Sequence, residues 1–108
     1  MKKNLPVYPS SGNVFADLGL PDADECLAKS KLAVEIFRVV KARRLTQATT
    51  GTLLGISQPK VSALFRGRLE GFSTDRLFRF LNALGCDVQI TVSAPHPRKA
   101  GKVQVKAG

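Results

Sequence analysis

Two glycines four residues apart, Gly51 and Gly55, lead into a proline at position 59 and an apolar pair, Val61 and Leu64. This spacing restricts what the chain can fold into more than any other part of it. Proline fits a first helical turn, where its missing N–H had no intrahelical partner to lose. Ser57 is a cap residue able to accept a hydrogen bond from that turn. A helix therefore starts at Gln58, entered sharply from a turn at Gly55, and it runs to Arg66, where Gly67 closes it. Thr46 caps a shorter helix before it, which continues to about Leu54. Two helices crossing steeply through a tight turn need a small residue where their backbones meet, a glycine to reverse the chain, and apolar inner positions. Gly51 supplies the first and Gly55 the second, while Leu54, Ile56, Val61 and Leu64 supply the third. Thr50 occupies another inner position, one that is usually apolar.

The flanking sequence supplies further helices. Pro21-Asp22 followed by Glu25 marks a helix start with Asp22 as N-cap. The helix covers roughly 23–43, and Lys29-Ser30-Lys31 is the place where a break is expected. Leu32, Ile36, Phe37 and Val40 give it an apolar face. Ser73 caps another helix, with Phe72 and Leu77 as a hydrophobic staple. Leu77, Phe78, Phe80, Leu81 and Leu84 form its buried side, and Gly85 ends it. The period then changes from 3.6 to 2. Cys86, Val88, Ile90 and Val92 alternate with Asp87, Gln89, Thr91 and Ser93, the pattern of a half-buried strand. One strand cannot satisfy its own backbone. It pairs with a short strand at 13–18, with its own copy in a second chain, or with another protein. The expected fold class is mainly α: a compact bundle of four to five helices containing a helix-turn-helix, plus a C-terminal β-strand. Residues 1–12 read as a flexible arm, 13–94 as the one domain and 95–108 as a basic disordered tail.

A chain of 108 residues holds one modest core. Its 17 basic and 8 acidic residues leave a net charge of +9, which favours a polyanionic partner. The charges are segregated along the chain. Every charged residue from Arg38 to Arg68 is basic (Arg38, Lys41, Arg43, Arg44, Lys60, Arg66 and Arg68). Every one from Asp17 to Glu25 is acidic (Asp17, Asp22, Asp24 and Glu25). No apolar run is long enough to span a bilayer, and residues 1–12 have no apolar core of a signal peptide, so a cytoplasmic protein is expected. Cys26 and Cys86 stand far apart with a lone His96, which indicates no metal, no cofactor and no disulfide; both cysteines are expected as small core residues. No nucleophile–base pair argues for an enzyme.

LTQ at 45–47, LGISQ at 54–58 and VSALFRG at 61–67 resemble the helix-turn-helix of the phage-repressor (Cro/Xre-type) family. The wider layout is similar to the small antitoxin branch of that family, encoded beside a growth-inhibiting toxin. It comprises NVFADLGL at 13–20, the acidic helix start, QPKVS at 58–62, FSTDRL at 72–77 and CDVQITV at 86–92. Thr50-Gly51 departs from the Leu-Ala pair more frequent there. The resemblance implies a repressor that binds a double-stranded DNA operator as a homodimer, regulates its own operon and neutralises a protein toxin from the neighbouring gene.

It also implies that Gln47 binds a phosphate and braces the reading helix. Gln58, Pro59, Lys60 and Ser62 then lie along the major groove, and Arg66 reaches the flanking backbone. The chemistry suits these roles. Glutamine engages an adenine edge, lysine donates to guanine and serine serves several bases. Pro59 offers apolar contact with a thymine methyl, or simply starts the helix. Thr46, Ser57, Arg43, Arg44 and Arg68 join the phosphate candidates, although Arg43 and Arg44 equally suit a helix C-terminus. Val88, Ile90 and Val92 are the dimerisation candidates, with pairing to residues 13–18 as the alternative. Asp17, Asp22, Asp24 and Glu25 would complement a basic toxin or compensate the helix dipole. Two other readings share the charge: a stand-alone phage-type repressor, and a non-specific nucleic-acid-binding protein whose affinity falls with salt alike on every duplex.

Overall fold

The computed structural model describes residues 22–98 and 100–107. The arm, the short strand expected at 13–18 and Asp17 lie outside these residues. Four helices are present among the described residues: α1 (Asp22–Ala42), α2 (Gln47–Leu54), α3 (Gln58–Phe65) and α4 (Thr74–Ala83). α1 packs chiefly on α4, and α2 on α3.

α1 runs unbroken through Lys29-Ser30-Lys31. None of these residues is a helix breaker, and Lys29 pairs with Glu25 one turn back at 3.4 Å. Its buried stripe is Ala28, Leu32, Ala33, Ile36 and Val40. Phe37, expected in that stripe, is instead 41% exposed. It stands one residue, about 100°, round the helix from Ile36. There its ring meets Phe65 of α3 edge to face at 5.0 Å, with the Lys41 ammonium 5.7 Å from its centroid. The staple before α4 forms as expected, with Phe72 and Leu77 buried in one cluster with Leu32, Ile36, Leu64 and Phe80. Cys26 is exposed, because it falls off the buried stripe of α1, and Cys86 is half-buried.

Each helix ends on a left-handed residue. In α1 the Leu45 N–H donates to the Val40 carbonyl and the Arg44 N–H to the Lys41 carbonyl, both at 3.0 Å. This is the Schellman arrangement, which needs a left-handed residue at its turning point. Gly55, Gly67 and Gly85 provide it after α2, α3 and α4. After α1 it is Arg44, with φ of 55°.

The expected C-terminal strand is absent: residues 86–96 form no helix or strand, and none of the described residues is in a strand. Cys86 and Val88 still pack against the core, as the alternation requires. Ile90 and Val92 do not, at 66% and 73% exposed. The core surface ends after Val88, and a lone extended segment within the described chain has no ladder to join. The segment after it is also without helix or strand, but Val103 and Val105 are half-buried and Val105 packs at the core edge. No described helix is long and apolar enough to cross a membrane.

Candidate nucleic-acid interface

The geometry of the interface starts at Gly51. A Cβ there would stand 2.7 Å from the Ile56 carbonyl oxygen and 3.5 Å from Val61 Cγ2. The backbones of α2 and α3 approach that closely because position 51 has no side chain. Thr50 beside it is fully buried, yet its hydroxyl donates to the Thr46 carbonyl at 2.7 Å. A polar residue is tolerated at this inner position because its hydrogen bond closes within its own helix.

Thr46 caps α2 as expected, its hydroxyl accepting from the Thr49 N–H at 3.0 Å and donating to Thr49 Oγ1 at 3.0 Å. That hydroxyl is occupied in holding the helix start. Ahead of it lie the amides of Gln47 and Ala48, which by helix geometry have no intrahelical acceptor and mark the positive end of α2. Sequence reasoning named the Gln47 side chain and missed these amides, although a threonine at the cap position signals them.

α3 is fixed by Val61 and Leu64, both buried in the domain interior. The opposite side is therefore outward. Gln58, Pro59 and Lys60 are exposed and Ser62 is half-buried. Gln58 and Ser62, and Pro59 with Ser62 and Arg66, are spaced to share one helix face, and Lys60 stands at its edge. Ser57 takes the cap backbone conformation but makes no side-chain cap bond. Pro59 at the second helical position has removed one of the two N–H groups such a cap would use. The Ser57 side chain is exposed at the start of α3.

The basic residues divide by what they already hold. Arg43 Nη1 donates to the Leu84 carbonyl at 3.1 Å, tying the end of α1 to the end of α4. Arg38 pairs with Glu35 at 3.3 Å. Arg44, Lys60, Arg66 and Arg68 are exposed and have no ion-pair partner among the described residues. The structure thus leaves Arg44 ahead of α2, and Lys60, Arg66 and Arg68 on and after α3, as exposed cations, with no acidic residue in sequence between Arg38 and Arg68 to offset them.

On the acidic side, Glu25 is held by Lys29 and Asp24 is half-buried. The side chains of Asp17 and Asp22 are outside the described set. No group of His, Cys, Asp and Glu suited to a metal occurs among the described residues.

Residues 14–93 match the family described as "Helix-turn-helix domain". A solved chain, described provisionally as an XRE-family transcriptional regulator, is 46% identical to this one. It superposes with a TM-score of 0.75 over 82% of this chain and 100% of that one. No curated protein matches.

Proposed function

We propose that this chain, which belongs to the helix-turn-helix family of XRE-type transcriptional regulators, is a homodimeric repressor that reads one operator, regulates its own operon and neutralises a protein toxin encoded beside it. DNA binding and transcriptional regulation are the properties of that family. The outward polar face of α3, set by the burial of Val61 and Leu64 behind it, is the observation that carries sequence reading. Gln58, Lys60 and Ser62 contact base edges and Pro59 a thymine methyl. Phosphates lie at the α2 N-terminus, on Gln47 and its open amides, and at Ser57, Arg44, Arg66 and Arg68. Thr46 and Arg43 act one step removed, positioning α2 and the end of α1.

A single unit of this kind spans only one half-site, so affinity calls for a dimer. Val88, Ile90 and Val92 are the pairing segment, supported by the exposure of Ile90 and Val92 in the single chain. The toxin contact, in the cytoplasm, is the acidic stretch of Asp17, Asp22, Asp24 and Glu25, of which the last three belong to the start of α1. The Glu25–Lys29 pair favours the second reading, a repressor without a toxin, because it neutralises one of these carboxylates within the helix.

Fluorescence anisotropy of the DNA upstream of the gene against a scrambled duplex, at two salt concentrations, tests the first claim. A gap of roughly a thousandfold or more that persists at high salt is expected. Equal affinity for both duplexes would refute sequence reading. Co-purification with the neighbouring gene's product decides between antitoxin and stand-alone repressor.

A further inference from the structure

Segment 102–106, Lys-Val-Gln-Val-Lys, alternates as a strand does, and the structure treats its two faces differently. Val103 and Val105 are half-buried, whereas Lys102, Gln104 and Lys106 are exposed. Val105 packs at the edge of the core in a shallow groove along α1, which Val34 and Glu35 line from the helix side. Further along, Lys102 and Val103 line the groove together with Asp24, Leu27 and Lys31.

The single chain leaves this arrangement half finished. Leu27 and Val34 remain 54% and 51% exposed beneath the segment. No backbone–backbone hydrogen bond among the described residues lies beyond Cys86. The described residues between Gln89 and Gly101 are exposed throughout. Such a run has unpaired backbone groups on both edges, which is the template for a second chain.

We propose that the groove on α1 receives segment 102–106 from a second copy, so that two copies exchange these segments. The inference rests on the dimer reading given above and adds to it the site where each chain ends on the other. Antiparallel pairing of residues 88–92 about a two-fold at Ile90 places Ser93 and Ala94 alongside Asp87 and Cys86 of the other copy, next to its core. The chain that follows is therefore delivered to the other copy's body rather than back to its own. With residues 88–92 in the ladder, the free connector from Ser93 to Gly101 reaches about 30 Å when extended. The principal extents are 47 × 31 × 24 Å, so the connector spans the shortest of them. Exchange keeps the valine contacts of the single chain, adds a paired ladder, and brings a second chain alongside Ile90 and Val92. Exchange of identical elements is a low-cost route to a dimer.

The test uses the full chain with Cys26 and Cys86 replaced by serine. One variant carries Val34→Cys and another Val105→Cys, and a short bismaleimide links thiols that lie close together. Mixing the two variants is expected to give a linked species of two chains on a denaturing gel, while neither variant alone does. If the mixture gives none and the double variant links only within one chain, the segment docks on its own α1 and the exchange is overturned. Absence of any link in both experiments overturns docking in the groove altogether. Sedimentation of the unmodified chain separates the two readings. A dimer with links only within chains leaves the dimer standing without the exchange, whereas a monomer overturns both.

Discussion

Replacing Arg44 by glycine is expected to raise stability and weaken DNA binding at once. Arg44 is the turning point of the Schellman closure after α1, at φ of 55°, where the other three helices use glycine. An L-residue with a Cβ in the left-handed region costs about 1–2 kcal/mol. Glycine removes that strain but adds chain entropy in the unfolded state, which returns roughly 0.5–1 kcal/mol. The two hydrogen bonds of the closure, Leu45 to Val40 and Arg44 to Lys41, involve backbone only and survive the change. The net gain is therefore about 0.5–1 kcal/mol, a rise of a few degrees in Tm for a domain of this size.

Against this stands the lost guanidinium, exposed just ahead of α2 and without an ion-pair partner among the described residues. If it neutralises a phosphate, the slope of log affinity against log salt shrinks by about 0.9 for each protomer. Thermal unfolding and anisotropy over a salt series measure the two effects on one preparation. Arg44→Asn serves as the control, since asparagine tolerates the left-handed region yet carries no charge. It should match the glycine variant in salt slope. A Tm that falls in Arg44→Gly would refute the strain argument. A salt slope unchanged in both variants would remove Arg44 from the phosphate contacts.

Three other changes have definite expectations. Gln58→Ala with Lys60→Ala should abolish the preference for operator over scrambled DNA, each base contact being worth ~1–3 kcal/mol. Both residues are exposed, so Tm should hold, and discrimination that persists would move base reading elsewhere. Thr74 is buried with a hydroxyl that has no hydrogen-bond partner in the structure, so Thr74→Val, which keeps the shape, should stabilise by roughly 1 kcal/mol in urea unfolding. A loss of stability would mean that the hydroxyl is bonded after all. Arg43→Ala should lower stability by about 1 kcal/mol through its bond to the Leu84 carbonyl and leave the salt slope of DNA binding unchanged. A smaller slope would return Arg43 to the phosphate contacts.

The parts of this fold that were legible in the sequence are those decided within one turn of helix. Thr46 and Ser73 hold their caps, and Gly55, Gly67 and Gly85 turn the chain where the composition places them. The outward face of α3 is equally local, since burying Val61 and Leu64 fixes which way Gln58 and Ser62 point. Phe37 was misplaced because apolar residues at neighbouring positions do not say which of them meets the core. Only the partner ring on Phe65, from another helix, decides that. The Arg43 bond to the Leu84 carbonyl was hidden for the same reason, its acceptor lying 41 residues away.

The missing strand follows from the same limit. Alternation from Cys86 to Val92 specifies a face, and the structure keeps that face for Cys86 and Val88. It does not specify a partner, and where the chain's own core ends the pattern continues into solvent at Ile90. That leftover alternation is what the proposed dimer pairing would use. Arg44 fits the same logic in backbone form. A glycine would serve the turn better, and the side chain that stands there instead is one of those proposed above to meet a phosphate.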